Sequence, residues 1–284
     1  RFFAAEALGQ LAVPSAVAPL IQMLERNNDE DVYLRHAAVL ALSRIGKLEP
    51  VIALARNPNK ALRTAAVLVL RRLGNEQIAL FLNDSDEYIA TEAARAINDD
   101  LSIPAALPAL AAVLKDTKFR SEAFLRRAIN AALRVGGEKE LNMVIAFSKR
   151  TDITAVIKAE ALAALGTWAN PSVMDRVDGR YRGELTRDVE AVRAFVRPHI
   201  AGFLSASNSE TLVAVAGLLG HLQMEDFNDV LAKIYAETQD VKVKTAILPV
   251  LDQLKYSAMT AIIKSGMEDA DENVRTTALG LLND

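Results

Sequence analysis

The side chains that could do chemistry in this chain are few and scattered. His36, His199 and His221 are its three histidines, and a metal site needs several ligands converging on one point. No two of these histidines fall at ligand spacing. With no cysteine in 284 residues, thiolate metal sites, cysteine nucleophiles, disulfides and haem attachment through Cys-x-x-Cys-His are excluded. Glu92 with Arg95, and Glu160 with Lys158, offer carboxylates, but acid and base interleaved at short range is the pattern of a solvated helix face. Gly136-Gly137 lacks the flanking pattern of a phosphate loop and reads as a helix end. These residues point away from a catalyst, and they name no cofactor and no metal.

What remains is suited to contact. Lys115, Lys118, Arg120, Arg126, Arg127 and Arg134 stand against only Asp116 and Glu122 in the densest basic stretch. It is either a solvated helix face or a surface for an acidic partner, with Arg126 and Arg127 as candidate contacts. The single tryptophan, Trp168, opens an irregular segment that also holds Arg180, Tyr181 and Arg182. Trp, Tyr and Arg are the usual anchors of protein interfaces. A net charge of −3 and a pI near 5.8 disfavour general nucleic-acid binding, which draws on a basic excess. No apolar run reaches the roughly 18 residues of a membrane span.

The elements that carry these residues repeat. Hydrophobic residues make up 51% of the chain and aromatics only 5%, so the core is built of Ala, Leu, Val and Ile, the residues of close helix contact. An apolar residue, often followed by a basic one, recurs with a small or aliphatic residue four positions on. The series runs Phe3…Ala7, Leu34…Ala38, Leu62…Ala66, Ile89…Ala93, Leu125…Ile129, Ile157…Ala161, Leu212…Ala216, Val243…Ile247 and Val274…Ala278. Successive members are 27 to 36 residues apart, except for one interval of 55. Three residues before these positions stand Asp31, Asn59, Asp86, Glu122, Thr154, Ser209, Asp240 and Asp271, most of them good N-caps. Ser121 is the better cap beside Glu122. Gly46, Gly74 and Gly137 stand where a left-handed residue closes a helix. Between these helices lie further amphipathic stretches, such as 15–26, 48–56, 105–115, 139–149, 227–237 and 257–265. The pattern predicts helix pairs stacked in one array over residues 1–284, each pair burying its face only against its neighbours.

Stretches such as Asp31-Val32-Tyr33-Leu34-Arg35-His36-Ala37-Ala38 and Asn273-Val274-Arg275-Thr276-Thr277-Ala278-Leu279-Gly280 resemble the HEAT family, in the short form known from bile-pigment lyases. The resemblance implies an all-α, armadillo-like superhelix of about eight helix pairs and says little about function, because such arrays serve unrelated roles. The His-Glu pairs of the iron-binding HEAT hydroxylases do not occur. A narrower resemblance rests on residues 88–99, 125–137 and 159–183. Together they are similar to the helical region of large exported bacterial proteins that join a sugar-dehydrogenase-like propeller, HEAT repeats and a c-type cytochrome domain. That resemblance implies a periplasmic or exported setting and places any redox chemistry in neighbouring domains. Both ends of the chain read as cuts through a longer array.

The 55-residue interval exceeds the recurring 31 by 24 residues, and the surplus lies at about 166–188, where the composition is unlike the rest. It is expected to hold Arg180, Tyr181 and Arg182 on a protruding loop, while Trp168 serves either the core or the interface. The expected function is a non-catalytic scaffold that contacts proteins or neighbouring domains of its own parent chain. The alternatives are a helical module of an exported oxidoreductase or a pigment-lyase-like enzyme.

Overall fold

The computed structural model describes residues 1–205 and 208–282. Among these residues there are seventeen α-helices, several short 3-10 segments and no strand beyond one isolated bridge. The fold class is the all-α stack of helix pairs that the periodicity predicts. The chain divides into two compact units, residues 1–135 and 136–284.

The first unit contains α1 (Phe2–Gln10), α2 (Val17–Asn27), α3 (Val32–Ile45), α4 (Leu48–Ala53), α5 (Lys60–Arg72), α6 (Glu87–Asn98), α7 (Leu107–Ala112) and α8 (Glu122–Val135). Helices α1, α3, α5, α6 and α8 pack each on the next, and the others cover one flank of that row. Between α5 and α6 the covering element is a 3-10 helix, Glu76–Asn83. This is the shortest repeat interval, and the tighter helix makes up the length. Eight residues rise about 16 Å as 3-10 against about 12 Å as α. In α1 the structure corrects the reading of the repeat. Phe3 is 81% exposed and Ala7 lies at the surface, while Ala5 and Gly9 are buried. The true pair is Ala5…Gly9, because a Cβ on Gly9 would stand 2.6 Å from the Ala41 backbone.

The second unit contains α9 (Glu138–Ser148), α10 (Ala155–Gly166), α11 (Val189–Val196), α12 (Ile200–Leu204), α13 (Ser209–His221), α14 (Asn228–Glu237), α15 (Val241–Gln253), α16 (Met259–Met267) and α17 (Glu272–Gly280). Here α10, α13, α15 and α17 form the row. Ala161, Ala164, Ala216 and Ala278 are completely buried along it. At Gly166 a Cβ would come within 2.9 Å of the Leu218 Cα, so α10 and α13 touch backbone to side-chain position with no room between.

The starts of the row helices are fixed by polar side chains. Asp31, Asn59, Asp86, Thr154, Asp240 and Asp271 each accept backbone N–H bonds from the first turn. At α8 Ser121 Oγ accepts from Phe124 N–H, as expected of the better cap beside Glu122. One expected cap differs. Asn208, not Ser209, accepts from Thr211 N–H, and the Ser209 hydroxyl donates instead to Asp240 of the next repeat. At the other end Gly46 and Gly74 close their helices at φ +71° and +58°. After α8 the left-handed residue is Gly136 at +71°, not Gly137, which has φ −73°.

Two residues before several caps a second carboxylate or amide braces the turn, and a basic side chain clamps it. Arg63 grips Asp84 through Nε at 2.8 Å and Nη2 at 3.1 Å while donating to the carbonyls of Asn57 and Pro58. Lys244 holds Asp269 at 2.6 Å in the same way. The basic residue of the repeat is thus a strap from one pair to the next. Hydrogen bonds from Lys60, Ser209 and Lys244 hold Asp86, Asp240 and Asp269 below the ordinary carboxylate value.

Two outcomes follow from this packing. Ala161→Phe forces α10 off its neighbours, and the urea midpoint should drop by an amount equivalent to about 1–3 kcal/mol; an unchanged midpoint would contradict the close contact. The second outcome concerns acid. Because the folded pKa values of Asp86, Asp240 and Asp269 are lowered, their contribution is complete above the unfolded value of about 4 and is lost as pH falls through the folded values. The thermal midpoint should therefore fall on acidification below about pH 4. The triple change D86N, D240N and D269N should flatten that fall while keeping serviceable caps. An acid limb of the same steepness would count against the straps.

Candidate docking site

Between α10 and α11 residues 167–188 leave the helical pattern, at the place where the repeat interval is long. The base of this segment is part of the core. Trp168 is 1% exposed, so it serves packing and is not available to a partner. Arg187 returns over it, with the guanidinium 5.7 Å from the ring centre and Nη1 donating to the Trp168 carbonyl at 2.6 Å. Its own N–H donates to the Ala169 carbonyl at 2.8 Å, which closes the loop. Burial pulls the Arg187 pKa below the usual guanidinium value, yet an arginine stays charged at any physiological pH. Gly136 makes room for it, since a Cβ there would fall 2.1 Å from Arg187 Nη2.

Above the base the chain folds into a small hairpin. Met174 and Tyr181 form an antiparallel bridge. Asp175 N–H donates to the Arg180 carbonyl at 2.7 Å, and Arg182 N–H to the Val173 carbonyl at 2.8 Å. The Asp175 side chain, fully enclosed, accepts from the N–H groups of Val177 and Asp178 and from Arg182 Nε at 3.1 Å. Arg182 Nη2 also reaches Asp178 at 2.9 Å. Arg176 reaches back to Glu160 on α10 at 2.9 Å. The carboxylate of Glu160 is therefore an anchor for the insertion rather than a partner of Lys158.

The arginines thus divide by role. Arg182, with its side chain 14% exposed, is turned inward to clamp the turn, which corrects the expectation that it projects with its neighbours. Arg180, 56% exposed and 3.9 Å from Asp178, and Tyr181, 69% exposed, do lie outward. Bridge partners share a face, so Met174, 46% exposed, joins Tyr181 in an apolar tip. Met174 was not singled out from the sequence. The alternation of Met174 and Asp175 around the turn Asp178-Gly179 is the signal that marks a hairpin there.

The other candidates lie elsewhere. On α8 of the first unit Arg126 is near the surface, 3.7 Å from Glu122. Arg127 is structural: Nε and Nη2 grip both oxygens of Asp99 at 2.9 and 2.6 Å, with the side chain 12% exposed. Beside that pair the buried amides of Asn130 and Asn98 are joined at 2.8 Å. The repeated triplet Ala-Ile-Asn at 96–98 and 128–130 is the sequence mark of this ladder. His36 lies in the first unit. His199 and His221 lie in the second, with Lys149 3.0 Å from His199 Nδ1. Burial and Lys149 lower the His199 pKa. Among the described residues no group of three His, Asp or Glu side chains could hold a metal ion, and no helix is long and apolar enough to cross a membrane.

Comparison with known proteins agrees on the class. Residues 1–71 match the family of HEAT repeats. Importin beta, in a crystal structure in ammonium sulfate, is similar over 99% of this chain and 41% of its own, at TM-score 0.56 and 13% identity. At that identity the likeness speaks to the fold alone, a helical-repeat solenoid. The complex of CpcE and CpcF of phycocyanin lyase from Nostoc sp. PCC7120 covers 73% of this chain and 75% of its own, at TM-score 0.44 and 20% identity. Human deoxyhypusine hydroxylase covers 98% of each chain, at TM-score 0.32 and 17% identity. Scores that low carry no inference about this chain. No curated protein matches it.

The division among the arginines is open to test. Arg182→Ala removes a charged donor from the enclosed Asp175 carboxylate and should cost about 1–3 kcal/mol, read as a lower thermal midpoint and faster proteolysis within 173–183. Arg180→Ala and Tyr181→Ser should leave both unchanged. Equal effects from all three would mean that the hairpin has no internal clamp.

Proposed function

We propose that this chain is a non-catalytic docking scaffold whose insertion hairpin presents Met174, Arg180 and Tyr181 to a protein partner or a neighbouring domain of its own parent. The observation that carries this reading is the contrast within the hairpin. Its base and turn are held by Trp168, Arg187, Asp175 and Arg182, while Tyr181 remains 69% exposed. A rigid loop bearing an exposed aromatic and an arginine loses little entropy on binding and offers both contact area and directed hydrogen bonds. The scattered histidines and carboxylates support the non-catalytic part. The narrower resemblance to exported multidomain proteins would make the partner a domain of the same polypeptide. Propeller blades before residue 1 and a Cys-x-x-Cys-His motif after residue 284 in the parent sequence would test that version.

A photo-crosslinking residue at position 181, in the protein expressed in its own host, should give one discrete protein adduct or one internal cross-link. The adduct should be lost in Met174→Ser and Arg180→Ala, and a crosslinker at Glu225, an exposed position outside the insertion, should give none. Cross-linking at 181 no different from that at 225, or a visible spectrum and elemental analysis showing a stoichiometric haem, flavin or metal, would overturn the reading.

A further inference from the structure

A second surface, on the first unit and independent of the hairpin, has the form of a binding site. Helices α3 and α5 and the loop after α6 line an open groove of about 1120 Å³. That is at or above the top of the range for small-molecule pockets, about 300–1,000 Å³. Its walls carry large apolar side chains that the fold leaves in water, with Tyr33 73% exposed and Leu101 93% exposed. Leu101 stands between Asp100 and Ser102, whose φ angles are +52° and +61°, a region that non-glycine residues adopt at a cost. The loop is nevertheless held. The Ser102 hydroxyl donates to the Ile97 carbonyl at 2.7 Å, and Arg71 fixes Asp100 at 2.7 Å. Local structure therefore keeps Leu101 outward, although its own exposure gains the fold nothing.

The charges around the groove favour one kind of occupant. Asp99 is taken up by Arg127, Asp100 by Arg71, and Arg35 by Asp29 at 3.0 Å. Arg72 lines the groove, is exposed, and has no carboxylate partner among the described residues. The unit around it holds 17 Lys and Arg against 15 Asp and Glu, whereas the second unit holds 16 against 21. The uncompensated charge in the groove is positive.

We propose that this groove takes a linear acidic peptide segment: a large apolar side chain packs against Tyr33 and Leu101, and an adjacent carboxylate pairs with Arg72. Nucleic acid fits less well, because gripping a run of phosphates draws on several cations, whereas Arg35 and Arg71 are already paired with Asp29 and Asp100 and Arg72 alone among the lining arginines lacks a carboxylate. A small apolar ligand also fits less well, because the apolar walls are open to solvent rather than enclosed.

The test is selection of short randomised peptides on the intact chain, followed by fluorescence polarisation of the enriched peptides. Binding is compared between the unaltered chain and Arg72→Glu, Leu101→Asp and Tyr33→Ser. The expected peptides combine Asp or Glu with Leu, Phe or Trp. Each substitution should weaken binding by about tenfold or more, the loss seen when an interface anchor is removed. Thermal midpoints should stay unchanged, since all three side chains are exposed. Arg72→Glu should regain binding to a peptide whose acid is replaced by Lys. Enrichment of basic peptides, no enrichment, binding indifferent to the three substitutions, or tighter binding to an RNA oligonucleotide or to anionic vesicles would each overturn the proposal. The outcome is separate from that at the hairpin, because the residues lie on different units.

Discussion

The structure depends on how closely the second helix of each pair can approach its neighbour. Ala38, Ala66, Ala93, Ala161, Ala216 and Ala278 are buried to within 1% at these contacts, and a methyl added at Gly166 would meet the Leu218 backbone position. A helix pair alone cannot bury both faces, so its stability resides in these contacts with adjacent pairs. Close-packed interiors have no slack to absorb a larger side chain. Once the row is set, the covering helices can vary in form, as the 3-10 segment at Glu76–Asn83 shows.

Polar groups at the helix starts then fix the relation of each pair to the next. Arg63 with Asp84, and Lys244 with Asp269, tie the start of one helix to the loop that begins another. Both pairs are largely enclosed, and the cost of desolvating such charges offsets much of their attraction. Their role is to set direction, because the hydrogen bonds to loop carbonyls and cap carboxylates are satisfied in one arrangement only. The Asn98–Asn130 ladder does the same inside the first unit, where an unpaired amide would be costly.

Much of the fold was legible in the sequence because its signals are local. Cap residues such as Asp31 and Asp240 act on N–H groups two and three positions away, and buried alanines recur with the helical period. The misreadings have equally local causes. In α1, Phe3 imitates the apolar position although Ala5 and Gly9 make the contact, and at Gly136-Gly137 two glycines compete for one left-handed site. The candidate surface was legible only in outline. The long interval locates the insertion, but sequence does not tell Arg182, folded back on Asp175, from Arg180, turned outward. Nor does it show that Trp168 and Arg127 are spent on the interior, since those partners, Arg187 and Asp99, lie 19 and 28 residues away. The groove beside Leu101 is built by three separate repeats and leaves no linear mark.

If the row of close-packed helices is the foundation, it should also be the last part to open. Native-state hydrogen exchange measures this directly, because protection follows the free energy of local opening. The slowest amides should lie in α5, α6 and α8 of the first unit and in α10, α13 and α15 of the second, with the covering helices α2, α7, α14 and α16 exchanging faster. Protection that is equal in both sets, or greatest in the covering helices, would contradict the account.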